Sequence, residues 1–254
     1  MADRLQQRLQ AIGAGLCLPA MLDSRHIRAI TLDLDDTLWP VWPAIARAEA
    51  VLLQWLTEHA PHTAAMLGTT EAVRAIRLQV ERERPDLQHD LSGLRRESIR
   101  RALTQAGEDP ALAEPAFDLF FAHRQKVDLY DDALPALEFL SARWPVIALS
   151  NGNANVHTIG LGQYFHASLN VGSTGFAKPD VRMFHAAAQT AGVAPEQVLH
   201  IGDDAHLDAV GALAAGMHAV WLNRKGVDWP AQGPAPHATV DSLHSLCRLL
   251  EQGN

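Results

Sequence analysis

The pattern of apolar and polar positions changes texture twice along the chain. Near the start, the run Ile30-Thr31-Leu32 leads into Asp33-Leu34-Asp35-Asp36-Thr37-Leu38. Such a β-branched, apolar run predicts a buried strand, here one ending in carboxylates. From about Pro40 to Val127 the spacing turns helical. The stripe Ile45, Ala48, Leu52, Leu56 predicts a helix over 44–58. Residues 70–83 predict a second helix, capped by Thr69 or Thr70 and stopped by Pro85. Two more are predicted over 92–106 and 110–126, and period-two alternation is absent from this block.

After about Tyr130, short apolar runs alternate with helical segments. Helices are predicted over 134–143, 179–191, 208–216 and 242–251, and strands over 146–149, 168–171, 197–202, 218–222 and from Thr239. Pro179 would occupy the first position of its helix, with Gly192 at the end. Strands alternating with helices imply an α/β fold, with a parallel sheet covered by helices on both faces. The first strand belongs to that sheet, so the helical block is an insertion after it.

Composition narrows the function classes. The 254 residues suffice for one large domain or two modest ones. A hydrophobic content of 48% with 20% charged residues is ordinary for a globular protein. The net charge of −8 argues against a nucleic-acid partner, which would need a basic face. The two cysteines, Cys17 and Cys247, lie far apart and suggest neither a zinc site nor a disulfide framework. A reducing cytoplasm is the expected location. Residues 11–22 are apolar, but Gly13, Gly15 and Pro19 interrupt them and no clean cleavage site follows. Neither a signal peptide nor a membrane span is expected. Gly233-Pro234-Ala235-Pro236 reads as a surface loop.

The chemistry lies after the strands, where ligands of open α/β sheets bind. Side-chain alternation would send Asp33 and Asp35 to one side of the first strand. Paired carboxylates repel unless a cation sits between them or one keeps a proton. With a divalent metal and a phosphate ester, Asp33 could attack phosphorus and Asp35 could shuttle the proton. Ser150-Asn151-Gly152 follows the second strand and can donate to phosphate oxygens. Lys178-Pro179 follows the third, bringing a compact charge suited to a phosphoryl group. Gly202-Asp203-Asp204 follows the fourth, with Asp208 beyond it, and carboxylates there can ligate a hard cation. Each piece alone is commonly a turn or a solvated charge. Four at the same ends of successive strands are hard to obtain by chance.

These four stretches resemble the motifs of the haloacid-dehalogenase superfamily, and the resemblance runs from Ile27 over nearly the whole chain. It implies a Rossmann-like core over 1–39 and 131–254, with an α-helical cap over 40–130. It implies Mg2+ held by the side chains of Asp33 and Asp203 and the backbone carbonyl of Asp35, with Asp208 behind them. Asp204 stands where many relatives carry serine. The implied reaction is a phosphatase that forms an aspartyl-phosphate on Asp33, with Asp35 as acid and base. Ser150, the Asn151 backbone and Lys178 would hold the phosphoryl oxygens. The dehalogenases of the superfamily lack an acid at the position of Asp35, which favours a phosphatase here; a phosphomutase shares that acid. The stretches Asn151-Gly152-Asn153-Ala154, Gly160-Leu161-Gly162-Gln163-Tyr164-Phe165 and Leu199-His200-Ile201-Gly202-Asp203-Asp204 are similar to bacterial flavin-pathway phosphatases. Those act on FMN and on 5-amino-6-(5-phosphoribitylamino)uracil. In the cap, His89-Asp90, Arg95 and Ser98 also resemble that branch and make His89 and Arg95 candidate substrate contacts; Gly93-Leu94 departs from it.

Other readings are a phosphatase of sugar phosphates or phosphoglycolate-like esters, and a silent binding protein, which would be expected to have lost a motif residue. A phospho-acceptor signalling domain would carry its aspartate after a later strand. The expected partner is a small phosphate ester, with neither nucleic acid nor membrane, and the chain is expected to be a monomer or homodimer.

Overall fold

A computed structural model describes residues 22, 24–87, 89–230 and 233–252. Cys17 and most of the 11–22 segment lie outside the described residues. Six parallel strands form one sheet in the order β3-β2-β1-β4-β5-β6. They are β1 (Ala29–Leu32), β2 (Val146–Ser150), β3 (Ala167–Asn170), β4 (Val198–Gly202), β5 (His218–Leu222) and β6 (Ala238–Val240). Every residue of β1, β2 and β4 is buried, as a central parallel strand requires when helices cover both faces. The order reverses at β1, where β2 lies on one side and β4 on the other. Carboxyl ends of strands at such a switch point border a crevice.

Eleven α-helices are described. The insertion holds α1 (Val41–His59), α2 (Pro61–Met66), α3 (Thr70–Glu83), α4 (Leu91–Gln105) and α5 (Ala113–Arg124). Around the sheet lie α6 (Ala133–Ser141), α7 (Val156–Ile159), α8 (Val171–Thr174), α9 (Val181–Ala191), α10 (Gly211–Ala214) and α11 (Leu243–Gln252). Two apolar clusters cover the sheet: Leu137, Leu140 and Leu246 help to build one, and Met183, Phe184 and Ala209 the other. The insertion has its own cluster, including Leu52, Leu56, Leu103, Phe117 and Phe120. The stripe on α1 is therefore spent inside the insertion. Among the described residues, no helix is long and apolar enough to cross a membrane.

Several local expectations are corrected. Helix α2 was not foreseen, because its six residues are too short for a periodic signal. Residues 110–112 form a 3-10 turn before α5 begins. Pro179 does not open α9: Asp180 is the N-cap, and its carboxylate accepts the Arg182 amide. The expected helix over 208–216 begins earlier, as a π-helical segment over Ala205–Val210, and continues as α10. Strand β1 ends at Leu32, so strand alternation does not reach Asp35. A tight turn takes over, with the Asp36 amide donating to the Trp39 carbonyl at 2.7 Å and Asp36 at φ 59. Aspartate tolerates this left-handed conformation better than most residues.

Candidate active site

Three carboxylates meet at the carboxyl ends of β1 and β4. One oxygen each from Asp33, Asp203 and Asp208 lies within 4.8 Å of the others. Lys178 enters from the loop after α8, and its Nζ lies 2.6 Å from both Asp33 Oδ1 and Asp208 Oδ1. Lys178, Asp33 and Asp208 are all buried. Burial alone would lower the lysine's proton affinity, but Asp208 and Asp33 outweigh it and hold the ammonium charged. Burial would likewise raise Asp208, yet Lys178 and His200 hold it well below the usual carboxylate range. Asp33 is pushed well above that range by burial and by the charges of Asp208 and Asp203, with Lys178 opposing. Asp203 is pushed up to about 7, by burial first and then by Asp208, Asp36 and Asp204.

One lysine thus faces three carboxylates, and the balance is short of positive charge. All the donors are hard oxygens. Such a cluster fits a divalent cation, which would compensate Asp33 and Asp203 together. Asp208 is committed elsewhere: besides Lys178, its Oδ2 accepts the Asp204 amide at 3.0 Å. Its neighbour Gly202 is constrained, because a Cβ there would lie 2.2 Å from the Asp208 carboxyl carbon. Asp204, which stands where many relatives carry serine, caps the π-helical segment by accepting the amides of His206 and Leu207.

The other predicted residues gather around this centre. Ser150 is buried at the end of β2, and its hydroxyl accepts the Gly152 amide at 2.9 Å. Asn151 braces the lysine loop through its side chain, donating to the Lys178 carbonyl at 2.9 Å and accepting the Lys178 amide at 2.7 Å. Asp35 does not join the carboxylate cluster. Its Oδ1 accepts from Trp39 Nε1 at 2.8 Å, and Arg124 Nη2 lies 2.8 and 2.6 Å from Oδ1 and Oδ2.

Two clefts flank the centre. One, of about 650 Å³, lies beside Asp36 and Asp203, bordered by Tyr130, Trp221 and Arg224. The other, of about 380 Å³, separates the insertion from the core; His89, Asp90 and Ser92 line one wall and Asn151, Asn153 and Asn170 the other. His89 is exposed at that cleft. Arg95 points instead into the helical insertion. It pairs with Glu49 at 3.0 Å and lies 4.4 Å from the centroid of the Phe120 ring. It borders a cavity of about 290 Å³ inside the insertion and one of about 60 Å³ that reaches Asn153.

Sequence reasoning assigned no role to Arg124, Trp39 or His200. His200 Nε2 lies 3.1 Å from Asp208 Oδ1, and its Nδ1 2.8 Å from Thr31 Oγ1. A carboxylate only accepts, so Nε2 carries the proton and Thr31 donates to Nδ1. Burial lowers the affinity of His200 for a second proton. A histidine inside an otherwise apolar strand was the available signal. Arg124 carried none, since it ends a helix like any other basic residue.

Comparison with known proteins agrees with this geometry. The model of the haloacid dehalogenase-like hydrolases matches residues 27–216. The chain is 34% identical to 5-amino-6-(5-phospho-D-ribitylamino)uracil phosphatase of Escherichia coli, over 89% of this chain and 97% of that one. It is 27% identical to N-acylneuraminate-9-phosphatase of Homo sapiens, over 89% and 94%. A solved structure described as a 2-haloacid dehalogenase from Pseudomonas syringae matches with a TM-score of 0.83 at 36% identity, covering 90% of this chain and 100% of that one. With its four motifs gathered on one parallel sheet, the chain belongs to the haloacid dehalogenase-like hydrolase family.

Proposed function

We propose that the chain is a Mg2+-dependent phosphatase that hydrolyses a small phosphate monoester through an aspartyl-phosphate on Asp33. The observation that carries this reading is the buried Asp33 carboxylate, held 2.6 Å from Lys178 in a cluster short of positive charge. An Asp33 oxygen bonds to phosphorus as the ester P–O bond breaks, and Asp35 gives its proton to the departing alcohol. Water then attacks phosphorus, its proton passes to Asp35, and Asp33 is freed. Lys178, Ser150 and the Asn151 amide bind the phosphoryl oxygens. Mg2+, held by Asp33, Asp203 and the Asp35 carbonyl, would offset the charge of those oxygens.

The helical unit, residues 40–130, acts as the cap, and the core comprises 1–39 and 131–254. The preferred substrates are FMN or 5-amino-6-(5-phospho-D-ribitylamino)uracil. The Escherichia coli relative bears the second name, and the polar cleft, with its amides Asn151, Asn153 and Asn170, the Ser92 hydroxyl and the carboxylates Asp86 and Asp90, suits the hydroxylated chain both esters share. The enzyme works in the cytoplasm on a free metabolite.

Rates with Mg2+ across FMN, the ribitylaminouracil phosphate, glucose 6-phosphate and 2-chloropropionate test the reading. The ribityl esters should turn over fastest, EDTA should abolish turnover, and His89→Ala should raise KM for FMN while sparing p-nitrophenyl phosphate. Brisk turnover of the sugar phosphate alone removes the flavin-pathway part. Full activity in EDTA removes the metal, and halide release without phosphate release replaces the phosphatase by a dehalogenase.

A further inference from the structure

Arg124 ends the last cap helix, yet its side chain is 2% exposed and reaches into the core. A buried guanidinium is costly unless paired, so its partners are informative. Its Nη2 holds both oxygens of Asp35, and its Nε donates to Asn153 Oδ1 at 3.0 Å. Asn153 in turn donates from Nδ2 to Ser92 Oγ on α4, at 3.1 Å. Two cap helices are thereby tied to the acid through one arginine and one asparagine. The remaining nitrogen, Nη1, is buried with no hydrogen-bond partner among the described residues.

The two oxygens of Asp35 are not equivalent. Oδ1 accepts from Trp39 and Arg124, whereas Oδ2 accepts from Arg124 alone. Oδ2 faces Gly152, where a Cβ would stand 2.6 Å from it and 3.5 Å from Arg124 Nη2. A side chain at that position would collide with the acid. With one donor against two on Oδ1 among the described residues, Oδ2 is the oxygen that keeps a free lone pair, and the missing side chain at Gly152 leaves it uncovered on that side.

We propose that Arg124 is the positioning residue for Asp35: it fixes the carboxyl so that Oδ2 exchanges the proton with the ester oxygen, and it makes that alignment depend on the seating of the cap. The proposal rests on the reading of Asp35 as the acid of a phosphatase. In the first step the Asp33–phosphorus bond forms, the ester P–O bond breaks, and the leaving oxygen takes the proton from Oδ2.

Leaving-group chemistry separates positioning from a structural role. Nitrophenolate departs without a proton, whereas the alkoxide of an alkyl phosphate needs one. The kcat/KM value reports only steps up to that departure. Arg124→Ala should lower kcat/KM for FMN about 100-fold, and that for p-nitrophenyl phosphate by no more than about threefold, the span of a misplaced general acid. On FMN, the double variant Arg124→Ala with Asp35→Asn should be no slower than Asp35→Asn alone, because the two changes remove one function. If Arg124→Ala does not melt cooperatively, Arg124→Lys carries the same comparison: it keeps the charge but cannot hold Asp35 and Asn153 together. Equal losses on both esters, or multiplicative losses in the double variant, overturn the proposal while the phosphatase stands. A wild-type protein that hydrolyses neither ester overturns both.

Discussion

At the scale of single residues, the site is an imbalance of charge held in place by burial. Asp33 is surrounded by Lys178, Asp208 and Asp203, and its carboxylate is raised by burial first and by its acidic neighbours next. Asp33→Asn is nearly isosteric and removes one of the mutually repelling charges. It should abolish turnover by at least about 1,000-fold, as loss of a nucleophile does, while the fold is kept. Steady-state rates with a melting curve check both halves, and activity within about tenfold of wild type contradicts the role. The neighbouring glycines obey the same crowding. Gly152 and Gly202 stand where a Cβ would strike Asp35 and Asp208.

Elements place these residues and limit what they touch. Thr69 caps α3 by accepting the Ala72 amide, and Asp90 caps α4 by accepting the Gly93 amide. Gly93 is confined there, since a Cβ would lie 2.3 Å from Asp90 Oδ2 and 3.1 Å from the Leu87 side chain, which favours a small residue at that point of the insertion. Arg95, two residues further along α4, is turned toward Glu49 and Phe120 rather than the cleft. In this structure it packs within the helical insertion, and substitution distinguishes that part from the substrate contact expected from the sequence. Arg95→Ala should cost about 1 kcal/mol, chiefly by baring the Phe120 ring, since the partly exposed Glu49 is hydrated once its partner is gone. It should also change KM for FMN and p-nitrophenyl phosphate by the same factor. A melting curve and paired kinetics test this; a rise in KM for FMN alone would return Arg95 to the substrate.

Over the whole molecule, stability is linked to the carboxylate cluster. Asp203 moves from an ordinary 3.8 to about 7 on folding, through burial and then through Asp208, Asp36 and Asp204. Between those values the folded protein keeps a proton that the unfolded chain has lost. Its contribution is complete below pH about 4 and lost as pH rises through about 7. Asp33 shifts in the same direction. Asp208, held low against its burial by Lys178 and His200, contributes the opposite dependence in acid. The metal-free protein should therefore melt at a lower temperature at pH 8 than at pH 5. Asp203→Asn should flatten that slope, and Mg2+ should raise the melting temperature more at pH 8. Thermal scans with EDTA or Mg2+ measure it; a flat profile indifferent to the cation would separate the cluster from metal binding. The class of fold, the helical insertion and the four strand-end motifs were legible in the sequence, because periodicity and turn residues act locally. Thr70–Glu83 and His218–Leu222 were even bounded to the residue. The strand order, the buried chain from Thr31 through His200 and Asp208 to Lys178, and the partner of Asp35 were not. Arg124 and Asp35 stand 89 positions apart, and Lys178 and Asp33 145. No local pattern records such a meeting; only the packing of the helical insertion and the loops against the sheet, which buries these charges together, decides which carboxylate each cation satisfies.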